Sequence, residues 1–144
     1  MPAIDSYLFF DGQCAEAMRF YEQTLGGKLQ ALMKYSDSPA PTDEACAGGG
    51  RPDPDRVMHA ALAIDGRMLM ASDMPTPGQH PKMAGFGLSL HYPTAAEARR
   101  AFDALAAGGS VTMPMQQTFF ADAFGMLTDR FGTPWMVGGG GQAA

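Results

Sequence analysis

The sequence predicts an α+β fold in which one β-α-β-β-β unit occurs twice. Three observations predict it: two amphipathic helices with matching phase, a strand candidate before each helix, and a similar apolar hairpin at the end of each copy. The helices correspond at an offset of 81 residues, as Ala17 does to Ala98, and the hairpins at an offset of 66, as Gly66 does to Gly132. This agreement favours a true duplication over chance similarity in a chain rich in Ala and Gly.

The first helix is predicted over 14–25. Its residues at i, i+3, i+4, i+7 and i+8 are mostly apolar, which is the spacing of one side of a helix. These residues are Ala17, Phe20, Tyr21, Thr24 and Leu25. Gly26-Gly27 ends the helix, because glycine adopts the left-handed conformation of a helix C-terminus at little cost.

The second helix, predicted over 94–107, has an apolar face at the same spacing. Its first turn contains Thr94 and Glu97, the two members of a capping box. Gly108-Gly109 ends it as Gly26-Gly27 ends the first helix.

Four strands complete each copy. In the first copy they are predicted at 4–10, 28–35, 57–64 and 67–72. In the second copy they are predicted at 86–92, 110–117, 122–128 and 133–138. We therefore expect one domain over 1–144 made of two modules. Its parts are a first module at 4–72, a linker at 73–85, a second module at 86–138 and a flexible tail at 139–144.

The first copy carries about 16 extra residues between its helix and its last hairpin, since the helix ends correspond at an offset of 82 and the hairpins at 66. The stretch 36–55 fits this excess, because it is rich in Pro, Gly, Asp and Ser and has no hydrophobic period. Long irregular segments of this kind are either functional or disordered. We leave open whether 36–55 is a lid or a disordered insertion.

Composition excludes several classes of protein. The net charge is −5 and Lys and Arg form no cluster, so a nucleic-acid partner is not expected. No apolar run approaches the roughly 18 residues that span a bilayer. The N-terminus lacks the basic segment of a signal peptide, which predicts a cytoplasmic protein without a membrane partner. The two cysteines form neither a disulfide framework nor a zinc spacing.

Four stretches of the chain carry a family resemblance. They are FFDGQCAEAMRFYEQTLGG, MHAALAIDGRMLMASD, GFGLSL and QQTFFADAFGMLTDRFGTPWMV. With them the chain resembles the vicinal oxygen chelate superfamily, which includes glyoxalase I, bleomycin-resistance proteins and extradiol dioxygenases. Within it the chain is similar to the PhnB-like group, also described as a 3-demethylubiquinone methyltransferase-like domain. The resemblance implies a curved, cup-shaped sheet around a small-molecule cavity, and a homodimer.

The resemblance also implies where a metal would bind. Enzymes of this superfamily typically hold one divalent ion with two ligands from each unit: a His on the first strand and a Glu on the last strand. Counting from the helix and the hairpins places these positions at Ser6, Met70, Gly87 and Met136. None suits a hard divalent cation, so we expect a cup without the usual metal and without a cofactor. A methyltransferase activity is rejected, because the chain has no Gly-rich strand-to-helix motif for a nucleotide cofactor.

Alternation along the strands predicts which side chains face the cup. The predicted ligand-binding residues are Ser6, Leu8, Met70, Ser89, His91 and Met136. The same alternation adds Phe10, Met68, Ser72 and Pro134. Such a lining suits a small, largely apolar ligand held by a few polar contacts. Alternatively, these side chains fill the cup and leave no room for a ligand.

The sequence is compatible with two functions, a binding protein and an enzyme. The first hypothesis is a metal-free protein that binds a small apolar molecule. The alternative is a metal-dependent lyase, isomerase or dioxygenase acting on a small oxygenated substrate. His91 is a candidate base, and the thiol of Cys14 at a helix N-terminus is a candidate nucleophile of lowered pKa. His59 and Trp135 are expected to be packing residues.

Overall fold

The computed structural model describes residues 2–37, 53–78 and 82–141. The chain divides into two compact units, Met1–Pro81 and Lys82–Ala144. Most of the 36–55 segment lies outside the described residues, so the structure does not choose between a lid and a disordered insertion.

The first unit is a four-stranded sheet with one helix. Its elements in chain order are β1 (Ser6–Phe10), α1 (Cys14–Leu25), β2 (Lys28–Lys34), β3 (Val57–Ile64) and β4 (Arg67–Asp73). The strand order across the sheet is β1-β4-β3-β2. β1 pairs with β4 in parallel, whereas the β2–β3 and β3–β4 pairs are antiparallel. A short 3-10 turn, Tyr35–Asp37, follows β2.

The second unit repeats this topology. Its elements are β5 (Leu88–Tyr92), α2 (Ala95–Ala106), β6 (Ser110–Gln116), β7 (Ala123–Thr128) and β8 (Pro134–Gly139). The strand order is β5-β8-β7-β6, with β5 parallel to β8 and the other two pairs antiparallel. The predicted α+β fold of two βαβββ units is therefore confirmed, with every predicted strand and helix present and each end within two residues of its predicted position.

Each helix covers one face of its own sheet. α1 packs against β2, β3 and β4, and α2 packs mainly against β7 and β8. On α1, Ala17 and Tyr21 are fully buried, and on α2 the corresponding Ala98 and Phe102 are buried. Burying a large apolar side chain stabilises the fold by about 1.5–3 kcal/mol, so these matched faces fix both helices to their sheets. Within the described residues, no helix is long and apolar enough to cross a membrane.

The two helices begin differently. α2 has the predicted cap: the Thr94 hydroxyl accepts a hydrogen bond from the Glu97 N–H at 3.2 Å. α1 has no capping side chain at its own N-terminus. Instead the buried carboxylate of Asp73, at the end of β4, accepts hydrogen bonds from the N–H groups of Gly12 and Cys14 at 2.8 and 3.0 Å. Asp73, which is distant in sequence, therefore caps the N-terminus of α1.

The final hairpins differ in their turns. Ile64 pairs directly with Arg67, so the loop between β3 and β4 has two residues, Asp65 and Gly66. Both have positive φ, 44° and 80°, as a two-residue type I′ hairpin turn requires. The loop between β7 and β8 covers the five residues 129–133.

The second glycine of each helix-ending pair has a steric role. A Cβ atom on Gly27 would lie 2.6 Å from the carbonyl oxygen of Ala63, and one on Gly109 would clash with that of Thr128. These distances exclude any side chain, so both units use glycine where the chain enters the second strand against the third.

The predicted tail begins too early. Gly139 is the last residue of β8, and the N–H of Gly140 donates a hydrogen bond to the carbonyl of Tyr92 at 3.2 Å. The strand thus includes the first residue of the predicted 139–144 tail and the second is hydrogen-bonded to β5, whereas 142–144 lie outside the described part of the chain.

Candidate functional site

Methionines and aromatic rings line the face of the first sheet that α1 does not cover, which we term the first open face. The register of β1 with β4 places Tyr7 beside Met70 and Phe9 beside Ser72. Tyr7 is 38% exposed and Phe9 is 49% exposed. Further residues of this face, from β2, β3 and β4, are Ala31, Met33, His59, Ala61 and Met68. A contiguous exposed apolar patch of this kind is typical of a surface that binds a ligand or another protein.

Tyr7 connects β1 to β3 across the first open face. Its hydroxyl lies 3.2 Å from His59 Nδ1, and the two ring centroids are 5.8 Å apart. The Tyr7 ring also lies 5.2 Å from the Phe9 ring, at an interplanar angle of 39°. His59 therefore has a polar partner that the sequence did not indicate, because the two residues are 52 positions apart.

The second sheet has a corresponding uncovered face, which we term the second open face. Ser89 lies beside Met136 and His91 beside Gly138, through the parallel pairing of β5 with β8. Ser89 and His91 are exposed. Residues of β6, β7 and β8 that share this face are Met113, Phe124, Met126, Thr128 and Pro134.

Gly138 lies between two larger side chains of the second open face, and its backbone is buried. A Cβ atom at this position would lie 3.4 Å from Phe124 Cδ2 and 3.7 Å from His91 Nδ1. An imidazole on β5 and a phenyl ring on β7 therefore stand on either side of a residue without a side chain, and we term these three residues the Gly138 notch. Phe120 packs edge-on against Phe124, with centroids 5.0 Å apart, and so holds one wall of the notch.

Four of the predicted ligand-binding residues lie on these open faces. Met70 lies on the first open face, and Ser89, His91 and Met136 lie on the second. The sequence alone missed Tyr7, Phe9, Phe124 and Gly138 as members of the two faces.

The other two predicted residues, Ser6 and Leu8, lie on the helix-covered side of β1. Ser6 pairs with Leu69, and Leu8 is 2% exposed in the core. Phe10, on the same side, is 1% exposed. The prediction that these residues share a face with Met70 is therefore wrong.

A one-residue difference between the two units explains this error. The connection between β1 and α1 has three residues, 11–13, whereas the connection between β5 and α2 has two, 93–94. The first strands therefore correspond at an offset of 82, although the helices correspond at 81. A shift of one residue moves every side chain of a strand to the opposite face, so an offset taken from the helices assigns the wrong face to β1.

With this correction, the first-strand residues beside Met70 and Met136 are Tyr7 and Ser89. A phenol, an aliphatic hydroxyl and two thioethers do not fit a hard divalent cation, which binds carboxylates, imidazoles and water. Among residues 2–37, 53–78 and 82–141, no group of three or more His, Cys, Asp or Glu side chains could hold a metal ion. The residues at these positions therefore do not fit the metal of the superfamily's enzymes.

Cys14 is a core residue rather than an activated thiol. It is fully buried. Burial raises the pKa of its thiol well above the ordinary 9.0, and the negative charge of Asp73 raises it further. The expected lowering of the pKa at the helix N-terminus is therefore wrong, and a protonated buried thiol is a poor nucleophile.

Asp129 organises the turn between β7 and β8. Its Oδ1 accepts hydrogen bonds from the N–H groups of Phe131 and Thr133 at 2.9 and 3.0 Å, and its Oδ2 accepts one from Trp135 Nε1 at 2.8 Å. Asp129 is 3% exposed and Trp135 is 2% exposed. Trp135 is the core residue that its alternation with Met136 predicts, and this cluster is structural.

Comparison with known proteins identifies a family with this topology. The model of the Glyoxalase/Bleomycin resistance protein/Dioxygenase superfamily matches residues 3–137. The chain belongs to this superfamily. The predicted superfamily is therefore confirmed from nearly the whole length of the chain.

Individual relatives of the superfamily are similar over their full lengths. The chain is 35% identical over 137 residues to Protein YjdN of Escherichia coli strain K12, covering 93% of this chain and 92% of that protein. The crystal structure of protein PA1353 from Pseudomonas aeruginosa is 43% identical, with a TM-score of 0.82 and coverage of 99% and 100% of the two chains.

A third member has the PhnB name. The structure described as a putative 3-demethylubiquinone-9 3-methyltransferase, PhnB protein, from Bacillus cereus is 24% identical, with a TM-score of 0.77 and coverage of 96% and 99%. At this identity the similarity shows the shared superfamily fold alone. The PhnB-like resemblance seen in the sequence is consistent with it.

Proposed function

We propose that this superfamily member binds a small, largely apolar molecule on the open faces of its sheets, without the metal site of the superfamily's enzymes. The composition of these faces supports the proposal. Methionine and aromatic side chains dominate them, and a few polar groups, Ser89, His91 and the Tyr7–His59 pair, interrupt the apolar surface. Ligand sites are typically apolar with a small number of placed polar groups.

Methionine is well suited to such a surface. Six of the twelve methionines lie on the open faces. They are Met33, Met68, Met70, Met113, Met126 and Met136. The thioether chain is flexible and polarisable, so a cluster of methionines adapts to ligands of different shape.

Observation of the methionine methyl groups tests binding directly. With ¹³C-methyl methionine incorporated, a panel of apolar and oxygenated compounds is titrated into the full chain and followed by NMR. We expect saturable shifts at open-face methyl groups such as Met70 and Met136. Met18, which is fully buried on α1, is the internal control and should not move. Trp135 is a poor reporter, because it is buried on the helix-covered side.

Charge insertion provides a matched pair of variants. Met136→Lys places an ammonium group on the second open face, and we expect it to weaken binding at least tenfold because a charge in an apolar site must be desolvated. Ala104→Lys adds the same charge to the exposed side of α2 and should leave binding unchanged. For a ligand that shifts the Met136 methyl group, equal affinities in the two variants would contradict the proposal.

The alternative, a metal-dependent lyase, isomerase or dioxygenase, is tested on the same protein. Isothermal titration with Mg²⁺, Mn²⁺, Fe²⁺, Ni²⁺ and Zn²⁺ should detect no stoichiometric site, because the side chains beside Met70 and Met136 are poor ligands for these ions. A one-to-one ion whose binding is lost in Met70→Ala and Met136→Ala would overturn the metal-free proposal and favour the alternative.

A homodimer and a cytoplasmic location also belong to this proposal. Val111 on the edge strand β6 and Phe86 before β5 are 48% and 46% exposed, and such side chains are often covered in an assembly. Light scattering at several concentrations should give twice the mass of the chain. A monomer across the whole range would contradict the dimer.

A further inference from the structure

The strand registers align the two open faces residue by residue. Tyr7 lies beside Met70 in the first unit, as Ser89 lies beside Met136 in the second. One step further along the strands, Phe9 lies beside Ser72 and His91 lies beside Gly138. The last strand thus contributes a small residue at the same place in each unit, Ser72 or Gly138.

A histidine and a phenylalanine flank this small residue in both units, but on exchanged strands. On the third strand of each sheet, Ala61 lies beside Met70 and Met126 beside Met136. Two residues earlier, on the same face, stand His59 in the first unit and Phe124 in the second. The first unit therefore has Phe on its first strand and His on its third, and the second unit has the reverse.

In the first unit, the phenol ring of Tyr7 lies between this histidine and this phenylalanine. The Tyr7 ring lies against Phe9 and His59, with its hydroxyl 3.2 Å from the imidazole Nδ1. In the second unit the position of Tyr7 is taken by Ser89, whose side chain has no ring. Ser89 and His91 are exposed, whereas Gly138 is buried beside them. A ring is thus present in one unit and missing in the other.

We propose that the Gly138 notch binds a phenol-type ligand, a flat aromatic ring bearing a hydroxyl group, in the place that Tyr7 takes in the first unit. The ring packs against Phe124, which aromatic geometry favours, and the hydroxyl bonds to His91. Because the imidazole stands on β5 rather than on β7, the hydroxyl points toward the first strand of the sheet. This inference rests on the proposed function and specifies the class of ligand and the unit that binds it.

The experiment titrates 4-ethylphenol into the full chain and follows amide and methionine methyl signals by NMR. We expect one saturable site with shifts at the Gly138 amide and the Met136 methyl group. Ethylbenzene, which lacks the hydroxyl, should bind about fivefold more weakly, the effect of one net hydrogen bond. His91→Leu should abolish this difference between the two probes.

Exchange of the ring between the units is the sharpest test. Ser89→Tyr installs in the second unit the ring that Tyr7 provides in the first, and should abolish binding of 4-ethylphenol. Tyr7→Ser removes the ring from the first unit and should raise the stoichiometry from one site to two. Ala104→Tyr, which adds a phenol on the exposed side of α2, is the matched control and should bind as the wild type does. Thermal unfolding confirms that each variant is folded.

Each outcome separates this inference from the proposed function. If 4-ethylphenol shifts open-face methionines but Ser89→Tyr binds it normally, the notch is not the site and the more general proposal stands. An unchanged stoichiometry in folded Tyr7→Ser overturns the equivalence of the two units. If 4-ethylphenol moves no open-face methyl group, this inference fails, and if no compound of the wider panel does so either, the proposed function fails with it.

Discussion

Removal of the Asp129 carboxylate is expected to destabilise the second unit strongly. This carboxylate is 3% exposed and accepts hydrogen bonds from two backbone N–H groups of its own turn and from the indole of Trp135. Thr133, one of the donors, is fully buried. In Asp129→Ala these donors lose their acceptor in a place where water has little access.

The magnitude follows from the number of donors. A hydrogen bond to a charged group contributes about 1.5–3 kcal/mol, and a buried donor left unpaired costs about 1–3 kcal/mol. Relief of the buried charge offsets part of this, so we expect Asp129→Ala to lower the free energy of unfolding by about 4 kcal/mol. Asp129→Asn keeps Oδ1 for the two backbone donors but presents an N–H₂ group to Trp135 Nε1, and should cost about 2 kcal/mol.

Urea unfolding measures both values. The transition is followed by circular dichroism, so that variants at Trp135 can be compared on the same scale. Asp103→Asn, on the exposed side of α2, is the matched control and should change stability by less than about 0.5 kcal/mol. A double-mutant cycle of Asp129→Asn with Trp135→Phe isolates the indole bond, and we expect a coupling of about 1 kcal/mol or more. Equal losses in the Asn and Ala variants, or a coupling near zero, would refute the assignment of this cluster.

Three further predictions concern the helices and their surroundings. In a Cys46→Ser background, Cys14 should react with a maleimide only after unfolding. Because burial and Asp73 raise the Cys14 pKa above the ordinary 9.0, the folded thiol keeps its proton where the unfolded thiol loses it. Stability should therefore fall as the pH rises above about 9, by at most about 1.4 kcal/mol per pH unit, and Cys14→Ala should remove this part of the slope. Thr94→Ala should cost about 1 kcal/mol through loss of the α2 cap, as urea unfolding will show. Gly109→Ala should cost roughly 2 kcal/mol or more through its clash with a strand carbonyl, whereas Ala107→Gly should cost much less in the same assay.

Local patterns in the sequence were sufficient to predict the elements of the fold. The apolar spacing of Ala17 and Tyr21 predicts the buried face of α1, and the paired glycines predict where both helices end. The hairpin repeat from Gly66 to Gly132 predicts β4 and β8. Helix phase and turn conformation depend on residues that are close in sequence. They can therefore be predicted without knowledge of the tertiary structure.

The candidate site was harder to predict, because it depends on contacts between distant segments. The connection from β1 to α1 is one residue longer than the connection from β5 to α2, and this residue decides which side chains of β1 face the helix. The sequence does not show that the extra residue lies in the connection rather than in the strand or the helix. The bond between Tyr7 and His59 joins strands that are neighbours of β4 on opposite sides. Likewise, nothing near α1 in the sequence indicates that Asp73 caps it. Each of these features becomes visible once the strand register is known.

The two units differ in the aromatic and polar side chains of their open faces. On the helix-covered faces, Leu8 corresponds to Leu90 and Leu69 to Trp135, whereas Ser6 corresponds to Leu88. Close packing of a helix on a sheet fixes the size of these residues, including Gly125, where a Cβ atom would lie 2.8 Å from Phe102 Cε2. On the open faces, a phenol corresponds to a hydroxyl at Tyr7 and Ser89. A duplicated unit can thus keep its fold while its open face changes, as the ring of Tyr7 in the first unit has no counterpart at Ser89 in the second.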